Sequence, residues 1–145
     1  MYKHILIPTD GSTLATTAVK QGLDFAKAIG AHVTALTVHE PFHVLTLETD
    51  MLTDSPAIYR RHAKAEAKQI LDKVEALAKA REVICDCVDV ESDHPYEAII
   101  ATAKKHKCDL IAMASHGRKG IQSLLLGSET QKVLTHSTLP VLVYR

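Results

Sequence analysis

Residues Ala114–Ser128 read ASHGRKGIQSLLLGS, between the apolar run LIAM at 110–113 and the segment ETQKVLTHS at 129–137. A short apolar run that gives way to small residues, glycines and a new helical start is the pattern of a buried strand handing over to a helix. In an open α/β sheet, ligands bind in the crevice outside the carboxyl ends of the strands. Whether this stretch grips a ligand phosphate or only makes a turn is therefore the question that the rest of the chain has to inform.

Upstream of it, Asp109–Ala114 (DLIAMA) is nearly all apolar, as strands buried on both faces are. Downstream, a helix near Glu129–His136 leads to a last strand, Pro140–Tyr144 (PVLVY). The same alternation holds from the beginning of the chain. His4–Pro8 is a first strand running into Thr-Asp-Gly-Ser, where Ser12 can cap a helix whose apolar positions Ala15, Ala18, Val19, Gly22, Phe25, Ala26 and Ile29 recur at helical spacing. Gly30 ends that helix as a left-handed cap, and the β-branched segment His32–His39 (HVTALTVH) is a second strand.

Glu40 to about Pro56 shows no sustained period and is longer than most connections, which suits a lid or part of a partner surface. A long amphipathic helix follows, with Ala63, Ala67, Ile70, Leu71, Val74, Leu77 and Ala78 on one face. Val83–Val90 is a third strand, and Pro95 opens a helix through Ala98, Ile99, Thr102 and Ala103. Strands and helices that alternate in this way predict a doubly wound α/β fold, a five-stranded parallel sheet with helices on both faces, in a single domain over residues 1–145. Pattern alone leaves the strand order open.

Composition narrows the function. Seventeen basic and seventeen acidic residues leave no net charge, so the clustered cationic surface of a nucleic-acid binder is not expected. No stretch approaches the roughly 18 apolar residues of a membrane span. Three cysteines without a CxxC pair, and an amino terminus that enters a strand directly, predict a cytoplasmic protein without membrane association. Cys85 and Cys87 share one face of a strand and read as core or half-buried thiols, and His39 and His43 flank a proline that breaks the helical face a metal would need. No metal-ligating residue is expected.

Within the decisive stretch, Ser128 and Gln131 have capping-box spacing. A helix start preceded by Gly127 also offers free amides and a positive dipole end to a phosphate. The two readings are compatible. Gly117 sits in a loop with Ser115, His116, Arg118 and Lys119, which suit either phosphate contact or a solvated turn. Asp10, just after the first strand, suits a ribose hydroxyl, an adenine edge or a phosphate-bound metal, or else a turn in which it bonds its own backbone. The Walker and dinucleotide glycine fingerprints are both absent.

These residues carry a family resemblance. ILIPTDGS, DLIAMASHGRKG, LLLGSETQKVL and PVLVY resemble the universal stress proteins over essentially the whole chain. The nucleotide-binding branch of that family is known by glycine, two residues, glycine, nine residues, glycine and then serine or threonine. Here Gly117, Gly127 and Ser128 match, and Ala114 replaces the first glycine. The resemblance implies the strand order 3-2-1-4-5 of the adenine nucleotide alpha hydrolase-like folds and a homodimer joined through the last strand. It also implies a site for ATP or another adenine nucleotide, with Mg²⁺ or Mn²⁺ carried by the phosphates. Pro8, Thr9, Asp10 and Val38 would lie near the nucleoside, Met113 and Ala114 would line the floor, and Gly117, Gly127, Ser128, Glu129 and Thr130 would surround the phosphates.

If position 114 requires a left-handed backbone, alanine costs roughly 1 to 2 kcal/mol relative to glycine, about one order of magnitude in affinity. If glycine serves close approach, one methyl group stands against the ligand. The implied role is a stress-response protein that binds ATP and acts through conformational or partner-binding changes. No residue is placed to activate a water, so it is not expected to be an enzyme beyond slow hydrolysis. The alternative, which Ala114 motivates, is a dimeric interaction protein of the same fold without nucleotide binding.

Overall fold

The computed structural model describes residues 1–43, 55–118 and 125–145. Its elements in chain order are β1 (His4–Pro8), α1 (Thr13–Ile29), β2 (His32–His39), α2 (Pro56–Ala80), β3 (Cys85–Glu91), α3 (Pro95–Lys105), β4 (Leu110–Ala114), α4 (Ser128–His136) and β5 (Val141–Tyr144). The strands form one parallel sheet in the order β3-β2-β1-β4-β5. Winding runs outward from β1 to β3, then reverses to β4 on the other side of β1. That reversal leaves a crevice above the carboxyl ends of β1 and β4, where the connections leave in opposite directions.

Successive strand residues point to opposite faces, so each central strand feeds two cores. Ile5 and Ile7 of β1 and Leu110 and Ala112 of β4 pack with Val19 and Leu23 of α1 and Leu71 and Val74 of α2. Leu6, Ile111 and Met113 face the other way, against Ile99 and Ala103 of α3 and Val133 of α4. The near-continuous apolar runs of β1 and β4 follow from this double burial.

The termini of the elements show why some expectations shift. Ser12 accepts from the Ala15 amide and caps α1, and Gly30 closes it at φ 69°. Leu23, not among the expected core positions, is fully buried, while Phe25 and Ile29 are only partly so. The third strand begins at Cys85, because Glu82 turns the chain at φ 57° and Val83 bonds back to Ala78 O before pairing starts. The fourth begins at Leu110, and Asp109 instead uses its carboxylate to accept from the backbone amides of Lys3 and His4. The expectation of core or half-buried thiols fails at Cys87, which is exposed while Cys85 is partly buried. β3 is an edge strand, and α2 covers it incompletely.

Residues 44–54 of the expected lid or partner segment lie outside the described residues. Its first part leaves β2 without regular structure, with the Tyr59 hydroxyl donating to Glu40 O and the Phe42 ring set edge-on against Tyr59. Among the described residues no helix is long and apolar enough to cross a membrane.

Candidate functional site

A cavity of about 650 Å³ opens above the carboxyl ends of β1, β2 and β4. Its wall includes Pro8, Thr9 and Asp10 from the end of β1, Val38 from β2, Met113 and Ala114 from β4, and Gly117, Gly127, Ser128, Glu129 and Thr130 from the loop and helix that follow. Residues scattered over the length of the chain thus meet in one place. Winding reversal brings the β1 and β4 exits side by side, and α4 returns with its amino terminus facing them.

The two motif glycines answer to space. A Cβ on Gly117 would stand 2.6 Å from Asp10 Oδ2. One on Gly127 would meet Ser115 O at 3.2 Å and His116 Cα at 3.3 Å. Gly127 also donates its amide to Ser115 O at 2.7 Å, pulling the start of α4 onto the end of β4. Thr130, almost fully buried, donates its hydroxyl to Ala114 O at 3.0 Å and fastens the same junction from inside the helix.

The capping box expected of Ser128 and Gln131 does not form. Gly127 is the cap residue, in extended conformation and without any side-chain bond, and Ser128 is already the first helical residue. Gln131 instead donates its side-chain amide to Leu126 O. With no serine oxygen on them, the first amides of α4 keep the unpaired positive end that a helix amino terminus presents. Glu129 is also engaged elsewhere than the resemblance suggests: its Oε2 accepts the Tyr96 amide at 2.9 Å, supplying α3 with the acceptor that its own cap residue, His94, does not.

Asp10 makes the local turn and adds a long-range contact that the sequence does not announce. Oδ1 accepts from the Ser12 amide at 2.9 Å, the local turn, while Oδ2 accepts from the Arg118 amide at 2.6 Å, across 108 positions of sequence. It therefore ties the loop after β1 to the loop after β4. Arg118 continues outward, its Nη1 reaching Glu66 Oε1 of α2 at 2.6 Å. His116 shares a hydrogen bond with the Ser115 hydroxyl through Nδ1, and its Nε2 is buried without a partner. Lys119 lies outside the described residues.

Ala114 is a strand residue paired with Tyr144 of β5, and no left-handed backbone occurs there. The conformational penalty considered for alanine does not arise. Its methyl group packs with Ala15 and Ala18 of α1, in a small cluster flanked by Leu14 and Tyr144.

The contribution of α2 was not foreseen. Tyr59, His62, Ala63, Glu66 and Ile70 form one wall of the cavity, joined by Asp93 and Pro95 from the β3–α3 connection. Ala63 and Ile70 belong to the apolar stripe of α2, whereas Tyr59, His62 and Glu66 flank it at polar positions that read as a solvated face. Spacing within α2 carries no signal that they border a cavity.

The universal stress protein family model matches residues 1–145. The chain belongs to the universal stress protein family. Universal stress protein MJ0531 of Methanocaldococcus jannaschii is 34% identical over 147 residues, covering 100% of this chain and 83% of its own. The solved structure of MJ0577, from the same organism, superposes with a TM-score of 0.83 at 29% identity, over 99% of this chain and 95% of that one. A universal stress protein solved in complex with cAMP aligns at TM-score 0.73 and 24% identity, over 99% of this chain and 97% of its own, a likeness of fold. The fold observed here is shared with these two solved structures.

Proposed function

We propose that this universal stress protein binds an adenine nucleotide, ATP above all, in the cavity over β1 and β4. The observation that carries the reading is the convergence at one wall of an uncapped helix start, Gly127 to Thr130, with the close-packed Gly117 loop. Backbone amides at a helix amino terminus bind phosphate through direct hydrogen bonds and a favourable dipole. A cavity of about 650 Å³ lined by apolar side chains such as Leu36, Val38 and Met113 and by the start of α4 suits a nucleoside phosphate. Structures of this fold in complex with cAMP make the adenine nucleotide the class to test first.

Pro8, Thr9, Asp10 and Val38 would border the nucleoside, Met113 and Ala114 the floor, and Gly117, Gly127, Ser128 and the amides of Glu129 and Thr130 the phosphates. Alanine at 114 is compatible with this, since its methyl group packs on α1. The acids at the phosphate end already have partners: Asp10 holds two amides, Glu129 holds Tyr96 and Glu66 holds Arg118. Mg²⁺ or Mn²⁺ would accordingly arrive on the phosphates, with no dedicated protein ligand.

The one hydroxyl that His116 engages, that of Ser115, is buried and is not among the residues that line the cavity; the role we propose is binding and signalling, in the cytoplasm, with at most slow hydrolysis. β5 ends the sheet with its outer edge unpaired among the described residues and all its residues partly exposed, which suits pairing with a second copy as a homodimer. Calorimetric titration with ATP and Mg²⁺ tests the reading. Saturable heat is expected, abolished in Gly127→Val, whose side chain would press on Ser115 O and His116. No heat and no thermal shift at millimolar ATP would refute it and favour an interaction protein of the same fold.

A further inference from the structure

Arg118 is held at both ends. Its amide donates to Asp10, and its guanidinium crosses to Glu66 on α2, 52 positions away in sequence. The guanidinium passes over the β1–α1 turn, with Nη2 3.5 Å from where a Cβ on Gly11 would stand. Both Arg118 and Glu66 line the cavity, and among the described lining residues Arg118 is the only lysine or arginine. Beside it, His116 presents a buried Nε2 with no partner. Among the described residues, one lysine or arginine therefore serves the phosphate end, and a carboxylate already occupies it.

We propose that Arg118 and Glu66 set the selectivity of the site for phosphate number: Glu66 holds the guanidinium until a terminal phosphate of the ligand displaces it. This rests on the nucleotide reading above and deepens it. A guanidinium uses the same fork of donors for carboxylate and for phosphate, so the two acceptors compete for one partner. The Arg118 and Glu66 side chains are 53% and 55% exposed. An ion pair this open contributes little by itself, and a phosphate carrying more charge can replace the carboxylate. Ligands without terminal phosphates leave the pair untouched.

Asp10 makes the exchange possible without unfolding the loop. Because it holds the Arg118 backbone, the guanidinium can change partner while its Cα stays in place. Displaced, Glu66 would be left facing the phosphates of the bound ligand, so its charge opposes long phosphate chains in two ways: by withholding Arg118 and by repulsion. Both effects have the same sign, and both vanish in Glu66→Gln.

The test compares adenosine, AMP and ATP binding by calorimetry on the full chain, with Mg²⁺ and again with EDTA. Glu66→Gln is expected to tighten ATP about two- to fivefold, the range of an exposed ion pair, and to leave adenosine unchanged. Arg118→Gln is expected to weaken ATP about tenfold or more, the loss of charge-assisted hydrogen bonds, again with adenosine unchanged. The double variant should gain less from Glu66→Gln than the wild-type background does, since only the repulsion remains to be relieved once Arg118 is gone. If Glu66→Gln leaves ATP unchanged, weakens it, or shifts adenosine equally, the selectivity pair is overturned while the nucleotide reading stands. If the wild-type chain binds none of the three ligands, both are overturned.

Discussion

Replacing Gly117 by alanine puts a methyl group 2.6 Å from Asp10 Oδ2, well inside the ~3.5 Å at which nonbonded atoms settle. That oxygen is the acceptor of the Arg118 amide. To admit the methyl group the carboxylate must swing away and release the amide, while Oδ1 can keep the Ser12 amide. Hydrogen bonds to a charged group contribute about 1.5 to 3 kcal/mol, and Asp10 is partly exposed, so water recovers some of the loss and the lower end applies. The expected destabilisation is about 1.5 kcal/mol, or a fall in Tm of roughly 3 to 6 °C. Urea unfolding should show a lower midpoint with an unchanged slope. In an Asp10→Ala background, where there is neither clash nor bond to lose, Gly117→Ala should cost nothing further. Wild-type stability in the single variant, or the same loss in both backgrounds, would refute the account of why glycine stands at 117.

Three further outcomes concern the opposite end of the sheet and the cysteines. His4 stacks on His32 with ring centroids 4.5 Å apart, and its Nε2 lies 2.8 Å from Thr34 Oγ1. Burial, with His32 and His106 nearby, pushes its imidazole below the ordinary range, so the unfolded chain takes up this proton first. Stability should therefore decline as pH falls below about 6.5 and level off beneath the folded value, a decline that His4→Gln removes. At Asp109 burial raises the carboxyl, but the Lys3 and His4 amides outweigh it and hold it below its usual range. Its contribution is complete above about pH 4 and disappears as pH falls through the folded value, so Asp109→Asn should flatten only that lower window, read from urea midpoints across the pH range. Among the thiols, a hydrogen bond from Cys85 holds Cys87 below its ordinary value and pushes Cys85 up, while burial pushes Cys108 up to about 11. Iodoacetamide followed by mass spectrometry should find Cys87 labelled first and Cys108 untouched in the folded protein; equal rates would contradict the burial seen here.

What could be read in the chain, and what could not, divides along physical lines. HILIP and LIAMA announce themselves because both faces of those strands are buried and no polar residue interrupts them. The strand order came with the family resemblance, since hydrophobic pattern records burial and not neighbours. Asp10 was legible as a residue of interest, but not its bond to Arg118, which depends on two loops meeting across the sheet. Ser128 was misassigned as a cap because Gly127 can supply an extended cap backbone without any side-chain signature. Glu66 and Tyr59 were invisible as wall residues, for a polar position on an amphipathic helix looks alike whether it faces bulk water or a cavity.

The cluster of Ala114 with Ala15 and Ala18 bears on how the first motif position is filled in this chain. At this position the methyl group is accommodated by the distance between a strand and the helix lying across it. This chain sets small residues on both the strand and the helix, Ala114 facing Ala15 and Ala18, so the two elements lie close with a methyl group between them. For this chain, the residue tolerated at position 114 is thus tied to what the first helix places opposite it.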